Sequence, residues 1–514
     1  MKSRIALTLA LALLLTNLSA QVQAIQWQRA LGGNGWDIAQ AVALTSDGGY
    51  IAAGQTNSTN GDVTVHIGNT DLWVVKLDAT GNVQWDKTFG GSANDHANAI
   101  HPTTDGGYVI AGYTGSNDVD VTDNQGWDDF WVVKLDATGL LQWQSTYGGS
   151  NVDRAHSIAP AMDGGYIVAG YTVSSDGDVT DHHGNQDYWV VKLDAVGILQ
   201  WQRTLGGSDL DEANSVAPTA DGGYIVAGRS SSADGDVTDD HGSLDYWVVK
   251  LDALGTLQWQ RTLGGSGHDE ANTVAPTADG GYIVAGSALS ADGDVTDHHG
   301  NFDCWIVKLD ASGAIQWHRS LGGSGRDEAY SIVPTTDGGY LFAGFIAFID
   351  GDIGYGHSGH DCWAVQLDAT GTIEWERTMG GSGYEEAYSI SPTTDAGYII
   401  AGYTLSSDGD VTNNHEGADL WVVKLIDSGV GLDHTGSPDL SFSVFPNPAT
   451  GSFLVHSDLT HATWVLTDAL GRNVFETPQP ANTQTLQVSH IPRGLYFVTL
   501  RSDQCNHTQR VVLE

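Results

Sequence analysis

Cysteine and positive charge are what this chain has least of. Three cysteines in 514 residues are too few for a disulfide framework. Cys304 and Cys362 share one repeat column, where other copies carry Leu72, Phe130, Tyr188, Tyr246 and Leu420, so each reads as a small buried hydrophobe. Equivalent positions in adjacent packed sheets lie roughly 10 Å apart, beyond disulfide reach, and all three thiols, Cys505 included, are expected to be free. Lys and Arg number 21 against 63 Asp and Glu, a formal charge of −42. Such a surface repels nucleic acid and anionic membranes. Beyond residue 24 no apolar run approaches the length of a transmembrane helix. The one long run, Ile5 to Leu15, follows Lys2 and Arg4 and leads to Val22-Gln23-Ala24, the pattern of a secretory signal peptide. Residues 1–24 are therefore expected to direct export to the periplasm, and the mature protein to be secreted or held at the outer-membrane surface.

What the chain has in abundance is repetition. The tyrosine of an Asp-Gly-Gly-Tyr turn recurs every 58 residues, at Tyr50, Tyr108, Tyr166, Tyr224, Tyr282, Tyr340 and Tyr398. Two tryptophan columns keep the same step, one starting at Trp27 and the other at Trp73. A fixed period of this size marks a repeat architecture. Each unit holds four short apolar runs separated by Asp- and Gly-rich turns, the signature of consecutive hairpins, and four antiparallel strands make a propeller blade. The tryptophans, at identical places in every copy, are assigned to packing between blades.

Proline orders the strands. Pro102, Pro160, Pro218, Pro276, Pro334 and Pro392 share one column of the first strand, with Leu44 in the first copy. Proline cannot donate to a ladder, so the column belongs on an edge, here the innermost strand. Counting onward, the seventh unit lacks its outer strand and the segment Ile25 to Arg29 supplies it, closing the ring and removing exposed edges. The expected fold is all-β: a seven-bladed propeller over 25–425, a glycine-bearing linker over 426–440, and a small β-sandwich over 441–514.

That last segment carries Val444-Phe445-Pro446-Asn447-Pro448, then Leu466-Thr467-Asp468-Ala469-Leu470-Gly471-Arg472, then Ile491-Pro492-Arg493-Gly494-Leu495-Tyr496-Phe497-Val498. In this order the motifs resemble the type A C-terminal sorting domain of the type IX secretion system of Bacteroidota. The resemblance implies an Ig-like sandwich recognised by the outer-membrane translocon and usually cleaved afterwards. The family typically ends in a lysine-rich strand, whereas Gln509-Arg510-Val511-Val512 carries one arginine. The Asp-Gly-Gly-Tyr-Ile-Val-Ala-Gly unit is similar to repeats in exported proteins of that phylum, and the Leu135 to Trp143 hairpin looks like the quinoprotein-type propeller repeat, a likeness that bears on fold alone.

Candidate chemistry gathers on one face. The loops joining second to third strands carry Asp-Gly-Asp pairs, Asp176 and Asp178, Asp234 and Asp236, Asp292 and Asp294, Asp408 and Asp410. The interblade loops on the same face add Asp37, Asp95, Asp153, Asp211, Asp269, Asp327 and Glu385. Oxygen ligands at alternate positions of a glycine-bearing loop suit calcium; the same residues also serve as caps for their own turns. No other cofactor is indicated. Histidines in these loops (His182, His183, His241, His298, His299, His357, His415) stand beside carboxylates, but a transition-metal set needs several loops. No nucleophile elbow, zincin helix or phosphate loop is present in the sequence. Strict repetition offers no asymmetric pocket for catalysis, so a binding site is expected where the period breaks: Trp36, Trp127, and Tyr355 and His357 in the sixth blade's loop. Trp36 and Trp127 fall in blades one and two, which adjoin. Exposed aromatics stack on sugar rings or anchor proteins. The reading is a surface binding module for a glycan or protein ligand, with an extracellular polysaccharide-acting enzyme, its site over the channel, as the alternative.

Overall fold

The computed structural model describes residues 23–354 and 356–427 and, beyond them, 442–445, 452–457, 463–468, 472–478, 483–488, 491–501 and 506–513. Residues Gln23–Ile426 form one compact unit, and a second unit contains the C-terminal strands. The signal-peptide expectation, most of the linker, and Tyr355 and Cys505 fall outside the described residues.

The first unit is a ring of seven four-stranded antiparallel sheets. Blade four shows the pattern, with strands Asp211–Pro218, Tyr224–Ser230, Asp245–Leu251 and Leu257–Leu263 in sequential order from centre to rim. The proline column sits on the inner edge strand, where its missing N–H costs no ladder bond. Blade seven is completed by Gln23–Leu31, which pairs with Asp419–Asp427 as its outermost strand. Trp421 Nε1 donates to Gln28 Oε1 at 2.8 Å, and the Trp27 ring lies 5.6 Å from that of Tyr50 in blade one. The strand Gln23–Leu31 thus joins blade seven to blade one.

Seven apolar clusters, one per interblade seam, make up the core. The third-strand tryptophans, from Trp73 to Trp421, are fully buried in them. The fourth-strand column packs tilted against the turn tyrosine of the next blade, for example Trp201 and Tyr224 with ring centroids 6.0 Å apart. Cys304 and Cys362 are buried free thiols, as the hydrophobic company in their column requires. On the face bearing the short turns, a buried lysine of the third strand reaches out to the turn aspartate, as in Lys250 to Asp221 at 2.9 Å. This face repeats with little variation, so it says little about function.

In the second unit, Phe442–Phe445, Ser452–Ser457 and Thr483–Gln487 form one sheet, and Asn473–Pro478, Thr463–Asp468, Gly494–Arg501 and Asn506–Leu513 another. Trp464, Leu466, Leu486 and Val498 are buried. Tyr496 Oη donates to the Pro492 carbonyl at 2.8 Å, pinning the turn that begins the third motif.

Candidate functional site

The acidic loops form caps. Asp176, Asp234, Asp292 and Asp408 each accept the serine N–H of the incoming interblade loop at 2.7 Å (Ser150, Ser208, Ser266, Ser382). These backbone hydrogen bonds hold the Asp176, Asp292 and Asp408 carboxyls below the usual carboxylate range. Asp178, Asp236, Asp294 and Asp410 accept the N–H of Gly148, Gly206, Gly264 and Gly380 at 3.3–3.4 Å. Among the described residues no three His, Cys, Asp or Glu side chains already stand as a metal cluster.

The interblade acids differ from the expectation. Asp37, Asp95, Asp153, Asp211, Asp269, Asp327 and Glu385 are fully buried and do not front the loop face. Asp153 shows why: its carboxylate accepts the Thr172 hydroxyl, the Ser174 hydroxyl at 2.8 Å and the Gly149 N–H at 2.8 Å, fastening the first strand to the second. The loop histidines are likewise occupied. The backbone N–H groups of His183, His241, His299, His357 and His415 donate to the buried aspartates that begin the third strands. Trp36 is 53% and Trp127 77% exposed. Trp36 bridges to Ala418 on the seam between blades seven and one, while Asp128, next to Trp127, bridges to Val152 on the seam between blades two and three. Two whole blades therefore separate the seams that carry these tryptophans.

A more irregular set of residues surrounds the axis on the same face. Every first strand contains a bulge, seen as a register shift such as Ala213/Ser215, that leaves one residue without a cross-strand partner. The bulge residues are Gln40, Asn98, His156, Asn214, Asn272, Tyr330 and Tyr388. Three of the asparagines bridge inner strands of successive blades, Asn98 to the Ala155 carbonyl at 2.8 Å, Asn214 to Ala271 and Asn272 to Ala329 at 3.0 Å. Two positions earlier the column reads Ile38, His96, Arg154, Glu212, Glu270, Glu328 and Glu386, and opposite it on the second strand Gln55, Tyr113, Tyr171, Arg229, Ser287, Phe345 and Tyr403. Few other positions of the repeat vary so widely in chemistry.

These side chains touch one another around the ring. His96 Nδ1 lies 2.6 Å from Gln55 Oε1, and its ring stacks on Tyr113 at 4.6 Å. Arg154 sits over the Tyr113 ring at 4.4 Å and pairs with Asp128 at 2.5 Å. Arg229 reaches Glu212 at 2.5 Å within its own blade and Glu270 at 2.9 Å in the next. Arg326 pairs with Glu328 at 2.5 Å beside Phe302. In blades six and seven Tyr330 meets Tyr388 at 4.9 Å, Tyr388 Oη donates to Glu386 at 2.8 Å, and His360 lies between Phe345 and Tyr384. Burial, helped by the Arg154 charge, lowers the His96 pKa to about 4, so its imidazole is neutral. Burial opposes ionisation of Glu270, but the His268 hydrogen bond and the Arg229 charge outweigh it and hold the carboxyl below its usual range. The result is a fixed array of neutral and ion-paired donors and acceptors with aromatic faces between them.

Broken periodicity in the loops does not mark this ring, which lies on the strands. The detectable signal was variation within the strands, in columns 58 residues apart that only closure of the propeller brings together.

Residues 443–514 match the family described as secretion system C-terminal sorting domain. The protein is accordingly exported by type IX secretion to the cell surface or beyond. Among curated proteins the chain is 28% identical over 190 residues to the Regulatory protein FlaEY of Caulobacter vibrioides, a stretch covering 34% of this chain and 20% of that protein. The match thus spans about a fifth of that relative's length. Solved structures with similar folds include Sqt1 from Chaetomium thermophilum (13% identity, TM-score 0.40, 78% of this chain and all of that one). Others are a fungal alcohol oxidase of the AA5 family in complex with copper (12%, TM-score 0.41, 96% and 99%) and YCF48 bound to D1 peptide (12%, TM-score 0.39, 79% and 98%). At these identities and scores none of the three bears on what this chain binds.

Proposed function

We propose that this exported propeller is a glycan-binding module whose site is the axial mouth on the loop face, with Trp36 and Trp127 on its rim. The observation that supports this most is the concentration of chemical variety. A seven-fold ring needs identical residues wherever blades pack, and an asymmetric ligand needs different ones where it binds. Here the variation gathers in adjoining columns around the axis.

The chemistry favours a neutral or amino-bearing glycan over an acidic one. Arg154, Arg229 and Arg326 are each neutralised by carboxylates, so among the described residues of the mouth these arginines offer no unpaired charge to an anionic sugar. Glu386 stands among tyrosines and is placed to accept from a hydroxyl or an ammonium. Exposed Tyr384 and Trp36 offer faces for stacking on a pyranose ring.

The test is a printed array of neutral, amino-bearing and acidic polysaccharides probed with the mature chain, with the positive wells assayed for released reducing ends. Retention on neutral or amino-bearing glycans without product supports a binding module. Product release moves the reading to a polysaccharide-acting enzyme at the same mouth, and retention on acidic glycans alone contradicts the charge argument.

A further inference from the structure

Each interblade seam buries two carboxylates facing one another. One begins the third strand of a blade and the other begins the first strand of the next: Asp129 with Asp153, Asp187 with Asp211, Asp245 with Asp269, Asp303 with Asp327, Asp361 with Glu385, and Asp419 with Asp37 across the ring closure. All twelve residues are at most 1% exposed. In five of these seams an oxygen of each carboxylate lies 2.4–3.1 Å from a single point, the place a Cβ would take on the intervening glycine (Gly32, Gly148, Gly206, Gly264, Gly380). Glycine is required there because the carboxylates occupy the space beside it.

The two partners of a pair are satisfied unequally. The first-strand carboxylates are all hydrogen-bonded, most of them to hydroxyls as described for Asp153, and Asp327 to the N–H groups of Gly323 and Ala347. The third-strand aspartates use Oδ2 to accept the N–H four residues back, but the Oδ1 atoms of Asp129, Asp187, Asp245, Asp303, Asp361 and Asp419 are buried without a hydrogen bond, the His357 imidazole approaching that of Asp361 to 3.5 Å. A lone buried carboxylate oxygen pointing at a second carboxylate is among the least favourable arrangements in a folded protein. Here it recurs six times. The seam between blades one and two is the exception, for Asp71 Oδ1 accepts the Gly68 N–H at 3.0 Å. Loop rearrangement thus satisfies one copy while six retain the same defect.

A third carboxylate stands at each seam. It is the second aspartate of the Asp-Gly-Asp loop of the following blade, Asp178 beside Asp129 and Asp410 beside Asp361, where its charge raises the neighbouring carboxyl. In the repeat the same position holds Asp236, Asp294, Asp352 and Asp62. At Asp410 the guanidinium of Arg377 approaches to 3.8 Å. Between blades two and three the neighbour is the neutral Gln125, whose Nε2 donates to Asp178 Oδ2 at 3.0 Å.

We infer that six of the seven seams are calcium sites, in which the ion takes the unpartnered Oδ1 of the third-strand aspartate, an oxygen of the facing first-strand carboxylate, and the loop aspartate turned inward. The three ligands are all oxygen and carry up to three negative charges, which suits calcium rather than a soft metal, and in five of the six seams an imidazole (His183, His241, His299, His357, His415) stands 2.8–3.5 Å from the third-strand aspartate. An exported protein meets calcium at concentrations matching extracellular modules, with Kd on the order of 10⁻⁴–10⁻³ M. Calcium would then tie each blade to the next at the loop face, below the mouth it supports.

Equilibrium dialysis of the mature chain against calcium, with thermal unfolding at pH 8 in calcium and in chelator, tests this. The expected result is about six ions bound per chain and a Tm higher by about 5–10 °C in calcium. Asp129→Asn and Asp245→Asn keep the shape and let the amide donate to the facing carboxylate, so each folds and each lowers the stoichiometry by one. Absence of binding at millimolar calcium, a Tm that calcium leaves unchanged, or a stoichiometry unaffected by these variants overturns the inference. Stabilisation in chelator by acid alone, with no calcium effect, also overturns it and assigns a shared proton to the pairs. Magnesium replacing calcium at equal potency would overturn the choice of ion. None of these outcomes bears on glycan retention at the mouth.

Discussion

At the scale of single residues, the mouth depends on ion pairs within and between neighbouring blades. Arg229 is the clearest case, one guanidinium serving Glu212 and Glu270 from adjacent blades. Arg229→Met strands two largely buried carboxylates and is expected to cost about 2 kcal/mol of stability, read by urea denaturation. The double change with Glu212→Gln is expected to recover part of that loss, since fewer charges are left unpaired. Trp36→Ala is expected to leave stability within about 0.5 kcal/mol, because the ring is exposed and supports no core cluster. The same change is expected to weaken glycan retention about tenfold, as loss of a stacking face does at binding surfaces.

At the scale of elements, the turns show how closely the repeat is tuned and where a copy departs. Six turns carry glycine at φ 83–91 before the Gly-Tyr step, and blade seven carries Ala396 at φ 61. Ala396→Gly is expected to stabilise the ring by about 0.5–1 kcal/mol, seen as a higher urea midpoint. The turn aspartates Asp105, Asp221 and Asp279 are held at about 2 by the threonine hydroxyls beside them and by Lys134, Lys250 and Lys308. Their folded pKa lies below the unfolded value of 3.8. The contribution is therefore present above about pH 4 and lost as pH falls toward about 2. The stability difference between wild type and the triple Asp→Asn variant is expected to be constant above about pH 4 and to shrink through that window. Because these side chains are exposed, the difference is small. Element order, edge proline and hairpin turns were all legible in the sequence, since each is set by local chemistry. The burial of Asp37 and its repeats was not legible. An aspartate after a Gly-Gly-Ser loop reads the same whether it faces water or caps a strand, and what decides is the hydroxyls and N–H groups the folded loops bring to it, hydroxyls at Asp153 and the Gly323 and Ala347 N–H groups at Asp327.

At the scale of the whole molecule, ring closure brings the variable columns of the inner strands together. Deleting residues 1–31 removes the outer strand of blade seven, the Gln28 partner of Trp421 and the Trp27 stack on Tyr50. It leaves Asp419–Asp427 as an open edge. The expected outcome is a Tm lower by about 10 °C or more, with soluble aggregates on gel filtration; an unchanged Tm would contradict closure by this strand. Closure also explains why the mouth escaped the sequence reading. His96, Arg154, Glu212 and Glu386 are one blade or several apart in the chain, and they become neighbours only around a common axis. The most direct measurement is calorimetric titration of a chitosan oligosaccharide into the mature chain and into its Arg229→Met and Tyr388→Phe variants, each checked for an intact fold by circular dichroism. Binding at one site by the wild type, weakened at least about tenfold in both variants, is the expected result. Equal binding by all three folded proteins would contradict a site at the mouth.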